Sequence, residues 1–167
     1  MQNGQKQFLE KQYDAREWRS HSKHEKRAIK DFSFEQWQVP NWKLQRVRRD
    51  EGAKPTAIRS LWSYEESTAK LLSVDVFECP SVEAAHDQLL EALGNIESTA
   101  LERRTGKDGP GDVAFGLNDT MILFVRVNVV VLIRNAGPNV VRVGDVAHNL
   151  DGFLLRHLEP KRTKEKK

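Results

Sequence analysis

Residues 121–137 read MILFVRVNVVVLIRNAG, the most apolar passage of the chain, and their reading decides the fold. Within 121–133 only Arg126 and Asn128 are polar. A membrane helix needs about twenty apolar residues. This run is shorter, carries an arginine at its centre and is dominated by β-branched valine, so it is not a membrane span. As strand, its odd positions (Met121, Leu123, Val125, Val127, Val129, Val131, Ile133) are all apolar. Its even positions are apolar at both flanks and polar at Arg126 and Asn128. One unbroken strand over 121–134 would exceed the usual length of about 3–10 residues. The break falls at 126–128, because Asn tolerates the left-handed backbone of a tight hairpin and Val does not. A bend or bulge inside one strand is the competing geometry.

Working outward, 58–64 and 70–79 read as strands joined by the polar turn EEST, the second alternating through Leu72, Val74 and Val76. Ser81 then N-caps an amphipathic helix over 81–94, with Val82, Ala85, Leu89, Ala92 and Leu93 on one face and Gly94 at its end. On the side away from that stripe lie His86 and Asp87. A strand over 98–105, the loop GKDGPGD and a strand over 113–117 lead into the opening run. A second helix over 143–158 follows, with Val143, Val146, Ala147, Leu150, Phe153 and Leu154 inward and His148 and Asp151 outward. Neighbouring strands joined by short turns imply antiparallel pairing. The expected class is α+β: a mainly antiparallel sheet with two amphipathic helices packed on one face, plus an N-terminal charged helix. The expected organisation is a charged helical extension (1–31), a single α+β domain (32–158) and a basic disordered tail (159–167).

The net charge of +3 conceals an uneven layout. Residues 1–54 carry a balance of +5, residues 55–155 a balance of −6 and residues 156–167 a balance of +4. Two basic arms flank an acidic body, and such arms suit nucleic acid or an anionic membrane surface, or are solvated ends. Cys79 is the only cysteine, which excludes an intrachain disulfide and any thiolate metal cluster built from one chain. It reads as a small buried hydrophobe. The first residues show no apolar signal-peptide core.

Chemistry-bearing motifs are sparse. His21 and His24 share a helical spacing, but the surrounding KHEKR is cationic and opposes a metal ion. His86 with Asp87, and His148 with Asp151, have the composition of a general base and its orienter, and equally of solvated helix faces. GKDGPGD lacks the GK[ST] ending of a phosphate loop. No nucleophile elbow or HExxH pair is present. Phe32, Phe34, Trp37, Trp42 and Trp62 crowd one region, either to plug the helix-free side of the sheet or to form a ligand surface.

The pattern FVRVNVVVLI followed by VAHNLDGFL, with SVEAAHDQLLEALG before it, resembles an element of uncharacterised bacterial exported domains. These include the extracellular sensor domains of some serine/threonine kinases and related lipoproteins. The similarity spans residues 70–157; it implies the hairpin, the closing helix and an envelope location, and brings no catalytic residue. The resulting expectation is a non-enzymatic binding or protein-interaction module without metal or cofactor. Its surface would be Phe32, Phe34, Trp37, Trp42, Trp62, Arg126 and Asn128, with a homodimer as one arrangement. The alternative is a nucleic-acid or anionic-membrane binder acting through both basic arms.

Overall fold

The computed structural model describes residues 1–20, 29–52 and 54–158. Two helices, α1 (Asn3–Gln12) and α2 (Ala15–Ser20), come first. The strands are β1 (Trp42–Asp50), β2 (Thr56–Tyr64), β3 (Leu71–Glu78), β4 (Glu102–Arg104), β5 (Val113–Leu117), β6 (Met121–Arg126) and β7 (Val129–Asn135). Helix α3 (Val82–Asn95) joins β3 to β4, and α4 (Gly144–Leu158) follows β7. The strands form one antiparallel sheet in the order β1-β2-β3-β7-β6-β5-β4. It consists of two meanders, β1–β3 and β4–β7, with α3 carrying the chain to the far edge so that β7 returns beside β3. The class is α+β, as the residue pattern predicts.

The opening run is a hairpin. Strands β6 and β7 pair from Met121↔Arg134 to Arg126↔Val129, leaving Val127 and Asn128 as the two-residue turn. The left-handed residue is Val127, at φ 55°, and not Asn128 as expected. That conformation is costly for a β-branched residue. Here the Val127 side chain is 2% exposed and its N–H donates to Asp112 Oδ2 at 2.8 Å. Burial and the hydrogen bond therefore offset the strain, while Asn128 is left free to turn its amide inward.

The two long helices lie on opposite faces, which corrects the expectation of one. Leu123, Val125 and Val130 pack with Leu89, Leu90 and Leu93 of α3. Ile122, Phe124, Val129, Val131 and Ile133 pack with Val146, Leu150 and Leu154 of α4. The reason lies in the run itself: its odd and even positions are both apolar, and a strand apolar on both sides needs cover on both. At about 25 cal/mol per Å², leaving either face of β6 or β7 in water would cost several kcal/mol.

The N-terminal region is also more than one helix. Asp14, at φ 53°, breaks α1 from α2, and residues 29–31 are not helical. Leu9, Ala15 and Trp18 are buried with α3, and Leu9 closes on Gly94, where a Cβ would lie 2.8 Å from Leu9 Cδ1. Residues 21–28, including His21 and His24, and residues 159–167 lie outside the described residues. The expected strand over 98–105 shortens to the three residues of β4, and a nine-residue strand, β1, begins at Trp42.

Candidate binding face

Each residue singled out in the sequence has a definite place. Phe32, Phe34, Trp37 and Trp62 are interior, each at most 4% exposed, and join the α4 side of the core with ring centroids 4.9–6.1 Å apart. Trp37 Nε1 donates to Asn149 Oδ1 of α4 (2.8 Å), so the aromatic segment and α4 together cover that face. Trp42 is half-buried and meets Tyr64 edge to face. Phe32, Phe34, Trp37 and Trp62 are therefore core and not a contact surface, because α4 alone is too narrow to shield β1 to β7.

Arg126 and Asn128 are structural. Arg126 donates from Nε and Nη2 to the two oxygens of Asp151 (2.8 Å each) and from Nη1 to Asp112 Oδ1 (2.9 Å). Burial opposes its charge, and the two carboxylates more than offset this, so the guanidinium is held above its ordinary pKa. Asp151 also accepts from Gly111 N–H (2.8 Å); Gly111 stands at φ +71°, where any Cβ would collide with the Val125 carbonyl. Asp151 is thus buried and paired, not on an outward helix face. Asn128 is 1% exposed. Its Oδ1 accepts from Ile29 N–H (2.6 Å), and its Nδ2 donates to the carbonyls of Ile29 (2.8 Å) and Cys79 (2.9 Å). It ties the hairpin to the end of β3 and to the segment leading into the aromatic cluster.

His86 is likewise interior, at 4% exposure, with its ring 5.2 Å from Trp18; α2 supplies the cover that the helix pattern alone could not reveal. Burial lowers its pKa, with Arg19 adding to the effect. Asp87 binds Arg19 and Lys6 instead (2.7 and 3.1 Å). His148 remains exposed and lines an open cleft of about 470 Å³ with Asp119, Asp145 and Arg104. There Asp119 Oδ1 already accepts from Gly144 N–H at the start of α4 (3.1 Å). Cys79 is buried, and burial, reinforced by Glu78, pushes its thiol up to about 12. Among the described residues, no cluster of three metal-ligating side chains occurs. Nor is any helix among them long and apolar enough to cross a membrane.

What the sequence reading overlooked is the other half of the sheet. On the α3 side, the helices lie over β5 to β7, while among the described residues no helix covers the surface made by β1, β2 and β3. Register assigns its residues: Lys43, Arg46 and Arg48 of β1 stand opposite Ser63, Leu61 and Arg59 of β2. Arg59 in turn stands opposite Asp75 of β3, and Ser73 opposite Arg134 of β7. The face thus presents five cations and two acids, the buried Asp75 among the cations and the exposed Asp50 at the end of β1. Asp75, with a side chain only 4% exposed, accepts from Arg59 Nη1 (2.9 Å) and lies 3.6 Å from Arg134 Nη2. Burial raises its pKa against the pull of both arginines. Arg59 also lies 5.6 Å from the centre of the Phe77 ring.

Arg46 and Arg48 are exposed and make no ion pair among the described residues. Lys43 reaches Glu66 at 3.4 Å, both ends largely in water, a pairing of little energetic weight. Arg48 directly opposite Arg59 is a like-charge cross-strand pair, an arrangement that costs stability. The signal was present in the sequence: KLQRVRR, 43–49, holds four of the five Lys and Arg residues of 32–54. Lys43, Arg46 and Arg48 fall on one face, with Arg49 on the other, only once the bulge between Leu44 and Arg46 is known.

Comparison of the chain with models of protein families, with curated proteins and with solved structures returns no match.

Proposed function

We propose that this protein is a binding module with no catalysis of its own, and that it holds an anionic partner on the open half of its sheet. One observation carries the reading: five exposed or half-exposed cations surround a single buried carboxylate, with Arg48 set against Arg59 at an energetic cost. Clustered cations on an uncovered surface raise the local concentration of anions and speed their capture. The buried aromatic segment serves this role indirectly, as the rigid backing of the same strands.

The test is a binding panel on the full chain at about 50 mM and about 300 mM salt, where charge-driven association falls steeply between the two. The probes are a labelled glutamate-rich peptide, oligothymidylate and phosphatidylserine vesicles. The reading expects at least one probe to bind at low salt, and the R46E/R48E variant to lose that binding. No binding by any probe would overturn it. So would binding untouched by R46E/R48E but lost when residues 160–167 are removed, which would assign the charge effect to the basic arm.

A further inference from the structure

Resting on that reading, we infer that the partner is a polypeptide segment of alternating acidic and apolar residues, taken up as an eighth strand along the outer edge of β1. The two edges of the sheet differ sharply. At one, β4 is three residues long; at the other, β1 runs for nine. Among the described residues no strand pairs with the outer side of β1, so a row of backbone N–H and C=O groups is open there. Such a row is a template for strand addition.

The side chains specify what would be added. Lys43, Arg46 and Arg48, with Asp50 at the far end, line the open face of β1. Trp42, Leu44 and Val47, paired with Tyr64, Trp62 and Ser60, line the other. Trp42 and Leu44 are half-buried against the core, and Val47 is 44% exposed. Arg49, also on that side, is already occupied by Glu51 (2.7 Å) and the Phe32 carbonyl (2.9 Å). Successive side chains of a strand point to opposite faces, and same-face residues recur about every 6–7 Å. An incoming strand with acids on one face and apolar residues on the other therefore meets the cations with the first set and the Trp42–Leu44–Val47 row with the second.

Other occupants fit less well. A second copy of β1 would place cation against cation. The chain's own stretches 21–28 and 159–167 are themselves basic. A single-stranded nucleic acid would use the cations, but among the described residues Phe77 is the one ring on this face, already engaged by Arg59, and such a ligand has no use for the apolar row or the backbone edge.

The experiment uses the full chain and a nine-residue peptide alternating Glu and Val, in three forms: unmodified, N-methylated at every Glu, and N-methylated at every Val. In a strand the N–H groups of alternate residues point to opposite edges, so methylation on one set blocks pairing and on the other leaves it open. The expected result is binding of the unmodified peptide, loss of at least about tenfold for one methylated form only, and a similar loss with R46E/R48E. Equal binding of both methylated forms would overturn strand addition while leaving the anionic face standing. Binding of oligothymidylate or vesicles without the peptide would do the same. Failure of every anionic probe would overturn both readings.

Discussion

Replacing Asn128 by Ala removes three buried side-chain hydrogen bonds at once: one from Ile29 N–H and two to the carbonyls of Ile29 and Cys79. Each is worth about 1 kcal/mol net, and a donor left buried without a partner adds to the cost, so the loss should be about 3–4 kcal/mol. That is a large share of the roughly 5–15 kcal/mol that holds a domain together. At about 2–4 °C per kcal/mol for a chain of this size, the midpoint should fall by roughly 6–16 °C. Asn128→Asp is the sharper form of the test. It keeps the shape and the acceptor for Ile29 N–H, but it replaces a two-bond donor with an oxygen facing two carbonyls. It should destabilise at least as much as Ala at neutral pH. Chemical denaturation followed by circular dichroism measures both. A loss below about 0.5 kcal/mol for either variant would refute the claim that Asn128 joins the hairpin, the end of β3 and the segment at Ile29.

Three further outcomes follow from named groups. Arg126→Met leaves Asp151 and Asp112 buried without their cation and should cost about 3–5 kcal/mol in a denaturation curve at neutral pH. His86, with its folded pKa below the ordinary 6.5, contributes stability that is present above pH 6.5 and lost as pH falls through the folded value; His86→Phe should flatten this part of the stability–pH curve. Asp75, with its folded pKa raised above 3.8, contributes stability that is full below 3.8 and lost as pH rises through the folded value. Asp75→Asn should remove that decline and, by freeing Arg59 and Arg134, tighten binding of the Glu/Val peptide in a fluorescence titration.

The sheet, the hairpin and both long helices were legible in the sequence because they rest on local periodicity and turn chemistry. The helix over 81–94 and the strand over 113–117 needed no tertiary information. What escaped depended on which layer covers which. His86 and Asp151 carry polar side chains on the less apolar sides of their helices, and only the arrival of α2 and of Arg126 buries them. The left-handed turn residue was misassigned for a related reason: Asn128 is worth more as an inward hydrogen-bonding hub than as the residue that relieves backbone strain. The cationic face was hidden by one irregularity. Without the bulge at Gln45, strict alternation would put Lys43 on the side opposite Arg46 and Arg48, and no single-faced stripe emerges.

The most direct test of the central claim is a map of backbone amide shifts across the full chain during titration with the Glu/Val peptide. The account predicts the largest changes along β1 from Lys43 to Asp50, with smaller ones at Arg59, Phe77 and Arg134. Changes centred on the cleft at His148, on α1 or on residues 159–167, with β1 unmoved, would contradict it.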